Sequence, residues 1–386
     1  MRVDWFRMGL GLLLMASGAR AADYFMYAGT YTNKQSKGIY TWKFDPRTGK
    51  AVSMGLAVET TSPSFLAVHP NRRFLYAVNE VPNYKGEKSG SVSAFAIDRK
   101  SGKLTLLNTV SSRGAGPCHL ALDKKGQSLI VANYGGGSIA AFPVGKDGRL
   151  GDATAFFQHS GAVSLRERQG GPHAHCVQVS PDNRYALVAD LGLDEVLVYR
   201  LNAAKAALAP NDPPFAKLAA GAGPRHLAFH PNGRLVYSIN EIQSTITALS
   251  YNAAAGSLRE VQTLSTLPPD FHGTNSTAEI AVHPSGKFAY GSNRGHDSIV
   301  VFAVDPASGR LSLVEHVSTQ GKAPRNFAMD PTGAYLFAAN QNSDNIVVFR
   351  IDRATGRLTP TGQVLDAPTP VCIAFVPVKP IIITLD

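Results

Sequence analysis

Apolar residues in this chain come in short runs rather than at helical spacing. SFLAVHPNRR is followed by FLYAVNE and then GSVSAFAID. The same succession returns as CHLALDKKGQ, SLIVANY and GSIAAFPV, and again as RHLAFHPNGR, LVYSINE and STITALSY. The runs are rich in Val, Ile, Phe and Tyr, alternate with polar positions, and are punctuated by Pro-Asn-Gly and Ser-Gly clusters, which predicts short strands joined by tight turns. A fourth strand follows turns such as DRKSGKL, DPASGRL and DRATGRL. HCVQVSPDNR, AEIAVHPSGK and RNFAMDPTGA open further copies. The leading positions are Ser64, Cys118, His175, Arg225, Ala278, Arg325 and Val371. They recur at about fifty residues, the period of a repeat whose units cannot bury their apolar faces alone.

Six copies are complete, and the seventh breaks off after VCIAF near the C-terminus. The start of the chain supplies three strands without a leader, in YFMYAGTYT, GIYTWKFD and AVSMGLAVE. One strand from the end and three from the beginning make a blade, which closes the ring and hides its sheet edges. The expected fold is therefore all-β, a seven-bladed propeller of four-stranded antiparallel blades in one domain, residues 22–386. VPVKPIIITLD, after Phe375, is left without a place in it.

In a propeller the first strand of each blade borders the central channel. The entry of that strand and the exit of the second lie at the same end. Entry positions carry Cys118, His119, His173, His175, Arg225, His226, Glu279, Arg325 and Asn326; exit positions carry Glu80, Tyr134, Glu241, Arg294 and Gln341. Convergent ionisable groups in a concave site point to function. His69, His230 and His283 share one pre-proline turn position, and their repetition assigns them a structural role. Histidine or glutamate can act as a general base, and arginines can hold an anion or a developing oxyanion. His173 and His175 stand two apart with no third ligand at metal spacing, so no metal or cofactor is expected. A one-residue change of register decides which of the two faces the channel.

The first 21 residues read as a secretory leader. MRVDWFR is basic, MGLGLLLMASG is apolar, and Ala19-Arg20-Ala21 fits a cleavage site before Ala22. The expected location is periplasmic or secreted, with no membrane span. The formal charge is +10; the leader holds three arginines and one aspartate, leaving +8 without it. The cations are scattered, which argues against nucleic acid. Cys118, Cys176 and Cys372 fall at equivalent places in the repeat, where a small residue suits close strand packing, and their odd number gives no disulfide framework.

GPHAHCVQVSPDNRYALVADLG, GAGPRHLAFHPNGRLVYSINE, AEIAVHPSGKFAYGSNRGHDSI and APRNFAMDPTGAYLFAANQNSDNI together resemble the seven-bladed propeller lactonases. That family is typified by bacterial 6-phosphogluconolactonase and includes the fungal carboxy-cis,cis-muconate cyclase. The resemblance covers residues 23–376. It implies a metal-independent site that opens or forms a lactone at the channel mouth. Carried over motif by motif, the histidine falls on His173 or His175, the arginine of GPRH on Arg225, the glutamate of the NE pair on Glu241, and the arginine of SNRG on Arg294. His175 or Glu241 would activate water, Arg225 and Arg294 would grip the carbonyl oxygen or an acidic substituent, and His226, Glu279 and Arg325 would support them. Hydrolysis of a sugar-derived lactone leads. A muconate-type cycloisomerase and a non-enzymatic envelope propeller are the alternatives. The export signal turns the expectation from a cytosolic sugar phosphate toward unphosphorylated aldonolactones or other carboxylated lactones. The oligomeric state stays open.

Overall fold

The computed structural model describes residues 23–161 and 169–378; the expected leader and the end of the tail lie outside the described residues. Among the described residues twenty-eight strands, numbered in chain order, form seven four-stranded antiparallel sheets. Blade I is the composite one. Its inner strand β28 (Pro370–Pro377) pairs with β1 (Tyr24–Thr30), placing Cys372 opposite Gly29 and Val376 opposite Phe25. Val376 and Pro377 thus extend that strand, which gives the first part of the tail its place. The inner strands of blades II to VII are β4 (Phe65–Val68), β8 (Pro117–Leu122), β12 (Ala174–Val179), β16 (Pro224–Phe229), β20 (Ser276–Val282) and β24 (Pro324–Met329). Each touches the inner strand of the next blade, and β24 touches β28. The ring is closed.

The second strands differ from the alternating pattern expected of them. FLYAVN, SLIVAN, YALVAD, LVYSIN and YLFAAN are buried at every position, because each blade packs face to face on both neighbours. The outer strand SLREVQTLS keeps exposed positions, as an edge facing solvent should.

Repeated polar contacts hold blade to blade. Tyr27, Tyr76, Tyr237 and Tyr290 donate their hydroxyls to the carbonyls of Gly102, Gly148, Gly309 and Gly356 in the neighbouring blade, at 2.8–3.0 Å. His69, His230 and His283 play the part their repetition suggested. Each Nε2 lies 2.8–3.0 Å from the carbonyl of Gly126, Gly286 or Gly333, and each Nδ1 takes the backbone N–H two residues on. A backbone N–H can only donate, so Nδ1 accepts and Nε2 carries the proton. Those glycines sit at positive φ directly under the imidazole, where a Cβ would collide with it.

Candidate functional site

Every inner strand from blade III onward slips register near its entry. The breaks fall between Pro117 and His119, Ala174 and Cys176, Pro224 and His226, Thr277 and Ile280, and Pro324 and Asn326; in blade I, Val371 is passed over between Pro370 and Cys372. A bulge leaves its extra residue unpaired and re-aims the side chain. The residues so released are Cys118, His175, Arg225, Ala278 with Glu279, Arg325 and Val371, nearly the column that led the sequence alignment.

The next residue of each strand forms a second layer that closes the channel beneath. Phe65, His119, Cys176, His226, Glu279, Asn326 and Cys372 come one from each blade. Phe65 lies against His119 with ring centres 4.0 Å apart and reaches His226 at 5.7 Å, from nearly opposite sides of the ring. Cys176 Sγ is 3.5 Å from His119 Nε2. The cysteines are therefore not equivalent as the strand alignment had them: Cys118 occupies the bulge, while Cys176 and Cys372 sit one step deeper. All three are free and buried, and burial pushes their thiols up, Cys176 and Cys372 to about 12.

At the mouth, Glu241 Oε2 lies 2.8 Å from Arg225 Nε and 3.0 Å from Arg294 Nη2. The Arg225 contact is an ion pair rather than an aligned hydrogen bond. The guanidinium of Arg225 is steered from its other end, where Nη1 donates to the Ala278 carbonyl at 2.7 Å and points at His226 Nε2 at 3.2 Å. Arg294 Nη2 also donates to the Thr277 carbonyl. Burial holds both arginines below their ordinary value, Arg294 to about 9, against the opposing pull of Glu241. A charge buried this well persists only when paired, and the Glu241 bridge supplies the pairing.

His226 passes this order downward. Arginine can only donate, so the Nε2 facing Arg225 accepts and the proton sits on Nδ1. Nδ1 then donates to Glu279 Oε1 at 2.9 Å. The same oxygen takes the Ile280 N–H, and Oε2 takes Asn326 Nδ2. Asn326 is itself oriented by Ile373 N–H, which donates to its Oδ1 at 2.9 Å. With three donors aimed at it, Glu279 is drawn in its ionised form. Burial raises its pKa to about 7, so that form belongs to the alkaline side of neutrality.

His175 is buried beside this chain, its ring 5.2 Å from His226 and 5.4 Å from Tyr134. Burial, then Arg225, keeps its pKa well below the usual 6.5, so the imidazole is neutral. The Cys118 thiol donates to the His175 carbonyl at 3.3 Å, while Nε2 makes no hydrogen bond among the described residues. His173 stands at the rim instead. It is half-buried, stacked on Tyr134 at 4.5 Å, with Nδ1 donating to the Tyr134 carbonyl. Of the pair, His175 looks into the channel. Cys118–His175 and Cys176–His119 are pairs only; among the described residues no group of three or more His, Cys, Asp or Glu could hold a metal.

The family described as a seven-bladed beta-propeller lactonase matches residues 25–375. The chain belongs to that family. Among its relatives, the 6-phosphogluconolactonase of Bacillus subtilis is 38% identical over 304 residues, which cover 79% of this chain and 84% of that one. The 6-phosphogluconolactonase of Formosa agariphila is 35% identical over 78% and 85% of the two chains. Among solved structures, the periplasmic gluconolactonase of Pseudomonas aeruginosa superposes with a TM-score of 0.87 at 35% identity, covering 93% of this chain and all of that one.

Within this propeller lactonase, Arg225, Glu241, Arg294, His226 and Glu279 join in one contact network, with His175 against it. Arg325 shares no hydrogen bond or ion pair with them among the described residues, although its charge helps lower the Arg225 pKa, and sequence reasoning missed its partner. Arg325 Nη2 donates to the Tyr31 hydroxyl at 2.9 Å, and that hydroxyl donates to Glu80 Oε2 at 2.9 Å. The signal was available: YAGTY of the first blade aligns with YAVNE of the second, which puts Tyr31 in the column of Glu80.

Proposed function

We propose that this propeller lactonase is an exported hydrolase of sugar-derived lactones, with His175 as the general base and Arg225 and Arg294 as the oxyanion clamp. Water adds to the lactone carbonyl carbon and gives its proton to His175 Nε2, while the carbonyl oxygen takes the negative charge beside the arginines. Collapse breaks the ring C–O bond, and the leaving alkoxide recovers the proton from the imidazolium. The product is the open hydroxy acid. Glu241 is a poor base in this arrangement, because two guanidinium groups within 3.0 Å of one oxygen stabilise its anion. Its part is to hold the clamp. The observation that carries the reading is that bridge beside a neutral, buried imidazole at a bulge-shaped mouth.

The names of the relatives support lactone chemistry. The leader-like first 21 residues and the periplasmic relative support export. Among the described residues no helix is long and apolar enough to cross a membrane.

The deciding experiment follows acid release in a pH-stat from gluconolactone, its 6-phosphate and a carboxylated lactone, corrected for spontaneous opening. His175→Ala should lower kcat by about 10²–10⁴, the usual contribution of a general base. Arg225→Ala should lower it by about 10²–10³, as loss of one oxyanion donor does. No rate above background on all three lactones would overturn the assignment, and so would full activity in either variant.

A further inference from the structure

The Arg325–Tyr31–Glu80 chain occupies blades VII, I and II, across the mouth from Arg225 and Glu241 in blade V. In a ring of seven, blades I and II are the two that face blade V. The chain is built firmly. The Arg325 guanidinium sits over the Tyr31 ring at 5.4 Å, and the Tyr31 backbone N–H is tied to the Thr369 carbonyl at 3.3 Å. The tyrosine hydroxyl is used in both directions, accepting from Arg325 and donating to Glu80. Glu80 Oε1, and Nε and Nη1 of Arg325, make no hydrogen bonds among the described residues, and all three side chains are only partly buried. Between Arg225 and Arg325 the bulge column carries the small Ala278, and on the other flank, between Arg225 and Glu80, it carries His175 and Cys118.

A fixed carboxylate oxygen beside free guanidinium N–H groups offers an acceptor and donors a few ångströms apart. A hydroxyl is both donor and acceptor, so a run of adjacent hydroxyls satisfies such a surface, whereas a bare methylene chain leaves it unpaired. We propose that Glu80, Tyr31 and Arg325 form a hydroxyl-reading subsite that selects polyhydroxylated lactones over unsubstituted ones. This rests on the lactonase reading above and adds the part of the substrate away from the carbonyl. Sites built to bond a substrate hydroxyl discriminate strongly against the analogue lacking it.

The test compares kcat/KM on glucono-δ-lactone and δ-valerolactone for the wild type, Glu80→Gln and Tyr31→Phe. The ratio of the two constants should fall at least tenfold in Glu80→Gln and by a smaller factor in Tyr31→Phe, carried mainly by KM for the sugar lactone. A ratio unchanged within twofold, whether both activities fall or neither does, overturns the subsite and leaves the chain as a staple between blades. Calorimetric titration with D-glucitol, which carries the hydroxyls but no carbonyl to attack, separates this from failure of the lactonase reading. If the wild type opens neither lactone, binding of glucitol that is lost in Glu80→Gln sustains the subsite, and absence of binding sinks it.

Discussion

Replacing Glu279 by glutamine tests the hydrogen-bond direction of the whole buried layer. Glu279 accepts at both oxygens: His226 Nδ1 and Ile280 N–H at one, Asn326 Nδ2 at the other. An amide offers one acceptor and one donor. Turned one way, its NH₂ meets Asn326 Nδ2; turned the other way, it meets His226 Nδ1–H and Ile280 N–H. Asn326 cannot flip to help, because its Oδ1 is held by Ile373 N–H. At least one buried donor is therefore orphaned, at a cost of about 1–3 kcal/mol. Adding Asn326→Asp restores the match: the introduced carboxylate accepts both the introduced amide and Ile373 N–H, and the charge moves one blade along.

The assay is denaturant unfolding of wild type, both single variants and the double, well above pH 7, where Glu279 is ionised. Glu279→Gln should lose about 1–3 kcal/mol. Asn326→Asp alone faces two carboxylates, which share a proton only as pH falls, so it should be worst at high pH. The double variant should recover most of both losses, giving a favourable coupling energy close to their sum and so larger than the loss of about 1–3 kcal/mol in Glu279→Gln alone. Additivity within about 0.5 kcal/mol would refute the donor directions assigned to His226 and Asn326.

Other expectations follow from the same contacts. His119, His175 and His226 are driven well below 6.5 by burial, with the neighbouring cations adding, so their contribution to stability is present above 6.5 and lost as pH falls. Glu279, raised to about 7, runs the other way and loses its contribution as pH rises from its ordinary 4.5 through 7. Between 4.5 and 6.5 the three histidines outweigh the one glutamate, so unfolding should take up protons and stability should rise with pH, read from unfolding midpoints across the window; a flat or inverted profile would contradict the buried neutral histidines. Tyr237→Phe should lose about 0.5–1.5 kcal/mol with the bond to Gly309, and an unchanged unfolding midpoint would show that contact to be idle. Gly126→Ala combines φ of 70° with a Cβ that would collide with His69 Nε2, so it should be markedly less stable than a control at exposed Gly86, where a Cβ meets nothing.

The fold was legible because its period is written in punctuation. A turn cluster after each apolar run, repeated at constant spacing, leaves few architectures, and the orphan strands at the two ends, which β28 and β1 do pair, allow only a closed ring. That the candidate residues would converge was legible for a related reason: residues in one column of a rotational repeat must share one rim. Orientation was not legible. His173 and His175 stand two apart and would point alike on a regular strand, yet the slip between Ala174 and Cys176 leaves His175 unpaired and sends it inward while His173 stacks at the rim. A bulge has no residue signature here, since the released position is Cys, His, Arg, Ala or Val in different blades. The same slip explains why neighbours along one strand, Arg225 and His226, meet through their side chains at 3.2 Å when strand geometry would send them to opposite faces. The bulge turns a column of sequence into two stacked layers: an upper one that varies from blade to blade and holds the groups of the proposed chemistry, and a lower one that closes the channel and aligns them. Altering the upper layer should change what the protein does; altering the lower one should change how firmly the groups above are aimed.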